Sequence, residues 1–114
     1  MENNRRRELK EEYRNRTVIG GVYRIVNREN GRFYLRSTDD IKATRNIIAM
    51  WEQFGHCSLP PIQQDWKAYG TAAFYLDELE LLEKQEAQTD KEFKSDLKVL
   101  LEIWDENLPR DNRY

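Results

Sequence analysis

Tyr23 and Tyr34 stand on either side of an Asn30-Gly31 step, each inside a run rich in β-branched and aromatic residues. An Asn-Gly step favours the positive φ angles of a hairpin turn, so the two runs are expected to pair and bring the phenols side by side. Strand alternation groups Tyr23 with Gly21 and Ile25, and Tyr34 with Arg32 and Arg36. Arg24, Arg28, Arg32, Arg36, Lys42 and Arg45 surround the pair. Such a basic, phenol-bearing surface could face phosphates, which points to nucleic acid as a partner. Two plainer roles stand beside this one. The tyrosines could be strand aromatics that cover a sheet, and the cations solvated charges on its rim.

Other constellations carry less. His56 and Cys57 are adjacent, and one His with one Cys falls short of the four ligands of a structural zinc site. Cys57 has no His at a separated position, so a thiol nucleophile is unsupported. There is no glycine-rich loop of the nucleotide-cradling kinds. Arg5-Arg6-Arg7 is followed at once by Glu8, Glu11 and Glu12, which suits a solvated helix face.

The elements that must position these residues follow from periodicity and punctuation. Residues 3–15 read as a charged helix with Leu9 and Tyr13 as its narrow apolar stripe. Gly20-Gly21 opens a strand over 21–27, and a second strand covers 32–38. Thr38 or Asp39 is expected to cap a helix over 39–55. Its buried stripe would be Ile41, Thr44, Ile47, Ile48, Trp51 and Phe54, with Gly55 as its end. A short helix from Pro61 through Ala68 carries Ile62, Trp66 and Tyr69. A third strand covers 72–82 and a polar turn 83–89. The last helix, 90–107, would bury Phe93, Leu97, Leu100, Leu101, Trp104 and Leu108, and Pro109 closes it. This order predicts an α+β fold, a three-stranded antiparallel sheet with flanking helices. The organisation expected is a helix and lead-in over 1–20, a domain over 21–108 and a tail over 109–114.

The chain has 114 residues, room for a modest core and for one domain. No apolar run approaches the roughly 18 residues that a membrane span needs. The opening Met-Glu-Asn-Asn lacks the apolar stretch of a signal peptide, and a single cysteine suits a reducing cytoplasm. The net charge of −2 hides an asymmetry. Residues 1–45 hold twelve Lys/Arg against seven Asp/Glu, and residues 46–114 hold seven against fourteen. The hairpin therefore belongs to the basic part.

Gly21-Val22-Tyr23 and Tyr34-Leu35-Arg36-Ser37 together resemble the paired motifs of the GIY-YIG nuclease family. Gln64-Asp65-Trp66-Lys67-Ala68-Tyr69-Gly70, ahead of an aromatic-rich strand, is similar to a small bacterial branch of it. The resemblance runs from about Gly20 to Leu108. It implies a DNA phosphodiesterase that uses one divalent metal, Mg²⁺ for instance, with two phenols, a phosphate-steadying arginine and a metal-holding glutamate. By the same resemblance Tyr23 and Tyr34 are the phenols. The arginine position falls on Thr44, with Arg45 next to it, and the glutamate position falls on Leu101, with Glu102 next to it. Arg36 replaces the glycine of the second motif. With three positions altered, the resemblance implies a GIY-YIG-like domain with a degenerate catalytic site and no bound metal, keeping a nucleic-acid surface of Arg24, Arg36, Lys42 and Arg45. The alternatives are an active Mg²⁺-dependent DNA endonuclease with Glu102 as metal ligand, and a non-catalytic adaptor or assembly protein, in one form a homodimer.

Overall fold

The computed structural model describes Arg5 and residues 17–114. The charged helix expected over 3–15 lies outside the described residues, Arg5 apart.

Gly31 takes a left-handed conformation (φ 75°), the freedom its missing Cβ gives, and its N–H closes the turn on the Asn27 carbonyl at 2.8 Å. This turn joins β1 (Ile19–Asn27) to β2 (Phe33–Thr38). A second antiparallel partner, β3 (Phe74–Glu83), flanks β1 on its other side, so the sheet order is β2-β1-β3. Gly20 and Gly21 fit because the neighbouring strands crowd β1 there. A Cβ on Gly20 would lie 2.4 Å from the Thr38 carbonyl oxygen, and one on Gly21 would lie 2.3 Å from that of Glu80.

Helices cover both faces. Over one face lie α1 (Ile41–Phe54) and α2 (Pro60–Tyr69). Ile48 and Trp51 of α1 meet Ile62 and Trp66 of α2 above Ile25 and Phe74. Trp66 stacks on Phe74 with centroids 4.6 Å apart and meets Trp51 edge-on at 6.0 Å. Over the other face lies α3 (Asp90–Asn107), whose Leu100, Leu101 and Trp104 cover Val22, Val26, Phe33 and Leu35. Thr89 and Glu92 form a reciprocal capping box that fixes the start of α3 where the sequence expects it.

Several details differ from expectation, each for a local reason. Asp40, rather than Thr38 or Asp39, caps α1, because its carboxylate accepts the Ala43 N–H at 3.0 Å while the Thr38 hydroxyl holds the Asp40 N–H. The sheet lies under only part of the α1 stripe, so Ile41, Ile48 and Trp51 are buried while Ile47 and Phe54 stay 48% and 71% exposed. Tyr69 is likewise exposed. On α3, Phe93 and Leu97 are buried, whereas Leu100, Leu101 and Trp104 are half-buried. A 3-10 turn over Thr71–Ala73 takes the first residues expected of β3. Residues 109–114 return to the sheet. The Asn112 carbonyl accepts from the Phe33 N–H and the Tyr114 N–H donates to the Phe33 carbonyl, a short parallel pairing on the outer edge of β2. No helix among the described residues is long and apolar enough to cross a membrane.

Candidate nucleic-acid interface

Register decides which side chains meet. Tyr23 sits opposite Arg36 of β2 and, after a bulge between Val22 and Tyr23, opposite Glu78 of β3. Ile25 sits opposite Tyr34, so Arg36, Tyr23, Glu78 and Tyr34 share the sheet face that α1 and α2 partly cover. The expected meeting of the two tyrosines on neighbouring strands and one face is therefore present.

The side chains are knitted together. Arg36 Nε donates to the Tyr34 phenol at 2.8 Å, and the guanidinium lies over the same ring, 4.6 Å from its centroid. From α1, Arg45 reaches across to β3. Its Nε donates to Glu78 Oε2 at 2.7 Å and its Nη2 to Oε1 at 2.5 Å, a two-pronged pair. This bond lowers the pKa of Glu78 and raises that of Arg45, so both stay ionised at neutral pH. Burial raises the Tyr23 pKa, the Tyr34 phenol adds to this and Arg36 opposes it. Tyr23 is thus held as a neutral hydrogen-bonding group rather than a phenolate.

Alternation sends Arg24 to the opposite face. There it pairs with Asp77 at 2.8 Å and lies over the Phe33 ring. Arg24 is therefore separated from Arg36 and Arg45 by the thickness of the sheet, and the single basic surface expected from the sequence is divided. Arg28 lies over Tyr75, and Tyr75 belongs to that second face as well. Lys42 lies in the first turn of α1, where it lines a cleft with Arg45, Asp40, Ile41 and residues 17–19.

Glu102 is exposed on α3, beyond the sheet from Tyr23. It lines a cavity of about 260 Å³ along the edge of β2, together with Tyr34, Arg36, Asp105 and Arg113. Glu102 thus shares a cavity with Tyr34 and Arg36 but not with Tyr23 or Arg45. Leu101 packs with the apolar cluster of Val22, Val26, Phe33 and Leu35. Among the described residues no three His, Cys, Asp or Glu side chains gather as a metal-binding group. Cys57 is buried in the core, and that burial raises its thiol pKa, so the sulfur stays protonated.

A second polar network, which sequence reasoning missed, anchors the hairpin. The Tyr114 phenol donates to Asp65 Oδ2 at 2.7 Å and accepts from Asn27 Nδ2 at 3.1 Å, and Asn27 is fully buried. Asn30 Nδ2 also donates to Asp65, at 3.2 Å, and the Arg32 guanidinium lies 4.3 Å from the centroid of the Tyr114 ring. Glu78 was missed too. Its signal lay in the acidic alternation of Asp77-Glu78-Leu79-Glu80, but its partner depends on a bulge that no residue type announces. Comparison with protein-family models, curated proteins and solved structures returns no match.

Proposed function

We propose that this chain is a GIY-YIG nuclease-like domain that binds nucleic-acid phosphates on the face bearing Tyr23, Tyr34, Arg36 and Arg45, with a degenerate catalytic site. One observation supports this above the others: two phenols and two guanidiniums lie together at an accessible rim of one sheet face. Neutral phenols and guanidiniums can both donate hydrogen bonds to phosphate oxygens, and neither reads a base in this arrangement. Binding on this face is therefore electrostatic and indifferent to sequence. The family resemblance in the two hairpin strings and in the Gln64–Gly70 stretch makes nucleic acid the phosphate source. Degeneracy rests on Leu101, whose apolar side chain offers no lone pair to a hard cation at the position where the family carries its glutamate.

A second reading, an active Mg²⁺-dependent endonuclease, is favoured by the cavity that Glu102 shares with Tyr34 and Arg36. The test uses the full chain with labelled duplex and single-stranded DNA in Mg²⁺ or Mn²⁺. The expected outcome is salt-sensitive binding with the strands left intact. Cleavage that disappears in both Tyr23→Phe and Glu102→Gln would establish the second reading instead. Absence of binding to either substrate would favour the adaptor reading.

A further inference from the structure

We infer that Glu78 is a built-in competitor for phosphate: it fills the guanidinium fork of Arg45 that a phosphodiester would otherwise take. The inference rests on the phosphate-binding reading above and adds to it a residue that sets affinity. A carboxylate and a phosphate present the same pair of oxygens to a guanidinium fork, and Glu78 satisfies both Nε and Nη2 of Arg45. The pair can open without disturbing the core, because the two side chains are 46% and 26% exposed. Exposed pairs of this kind are weakly held, so a multiply charged strand can displace one.

The two guanidiniums of the face are therefore unequal. Arg36 is bonded to a neutral phenol, and among the described residues no carboxylate forms an ion pair with it. Arg36 is open to an incoming phosphate, whereas Arg45 must first leave Glu78. Glu78 also stands opposite Tyr23 in the strand register, so its negative charge stays beside any phosphate that the phenol binds. Like charge there opposes binding even after Arg45 has been released. Glu78 thus acts against phosphate twice, by occupying a cation and by repelling an anion. Neither effect requires a conformational change of the sheet.

Removing the charge while keeping the shape isolates this role. A fluorescently labelled short duplex is titrated with wild type, Glu78→Gln, Arg45→Ala and the double variant over a range of salt. Glu78→Gln should bind about two- to fivefold more tightly than wild type, the scale of an exposed charge pair. Its slope of log affinity against log salt should stay as in wild type, because the strand contacts the same phosphates once Glu78 has been displaced. Most of that gain should vanish when Arg45 is also removed. Binding by wild type with no gain in Glu78→Gln, or a gain of the same size without Arg45, overturns the inference and leaves the phosphate-binding reading standing. Absence of binding in wild type and Glu78→Gln alike overturns both. An independent check on the wild type follows the arginine Nε–H resonances during the same titration. The Arg45 signal should move as its bond to Glu78 is exchanged for phosphate, and an Arg45 signal that stays in place while DNA binds would contradict the competition.

Discussion

Tyr114→Phe removes one oxygen from the network that ties the hairpin to α2, and its cost can be worked from the contacts. The ring would keep its place under the Arg32 guanidinium, and the backbone pairing of Tyr114 with Phe33 would remain. Asn27 Nδ2, fully buried and donating to this phenol, would lose its partner in a place water does not reach. A stranded buried donor costs about 1–3 kcal/mol. Asp65 would lose its shortest bond, but Asn30 and Arg32 would still face it at 3.2 and 3.6 Å. The donor therefore dominates, and a loss of about 2 kcal/mol is expected. In a urea melt with a slope of about 1.5 kcal/mol per molar, the midpoint should fall by about 1.3 M. The hairpin amides of residues 27–33 should exchange faster than those of α3. A midpoint change below about 0.3 M, within the error of such melts, would refute the claim that this phenol anchors the hairpin.

Gly21→Ala should destabilise by about 1–3 kcal/mol or more, because the new methyl would press on the Glu80 carbonyl and backbone cannot yield as a side chain does. A thermal melt unchanged from wild type would mean the strands are farther apart than described. Leu97→Ala, at a buried position, should cost about 2–5 kcal/mol. Leu101→Ala, at a half-buried one, should cost less, about 1–2 kcal/mol. Equal losses in the two variants, measured by urea denaturation, would place α3 differently on the sheet.

The parts of this fold that were legible in the sequence are those fixed by neighbours in the chain. The polar turn over 83–89 and the apolar stripe that begins at Phe93 place the start of α3, where Thr89 and Glu92 complete a capping box. Asn30-Gly31 names the hairpin because Gly31 readily takes the left-handed conformation found in that turn. The hairpin in turn brings Tyr23 and Tyr34 onto one face. Charge alone groups Arg24 with Arg36, although alternation separates Arg24 from Tyr23 by one residue and so turns it to the other face. Phe54 fits the helical period of α1 but overhangs the sheet, which periodicity cannot measure. Glu78 and Arg45 are 33 residues apart, and Asp65 and Tyr114 are 49. Both pairings depend on register and packing, and the first depends on a bulge as well. The polar half of the site was therefore the half that local pattern could not supply.

The proposed activity is phosphate capture by Arg36 and Arg45 at the rim of the sheet. Its most direct test is the salt dependence of duplex binding by wild type and by Arg36→Ala/Arg45→Ala, with Arg24→Ala as a control from the opposite face. Two lost phosphate contacts should reduce the slope of log affinity against log salt by about 1.8, and affinity should fall alike on unrelated sequences. Arg24→Ala, whose charge is already paired with Asp77, should bind as wild type does. A double variant with wild-type affinity and slope would contradict phosphate capture by this pair of arginines.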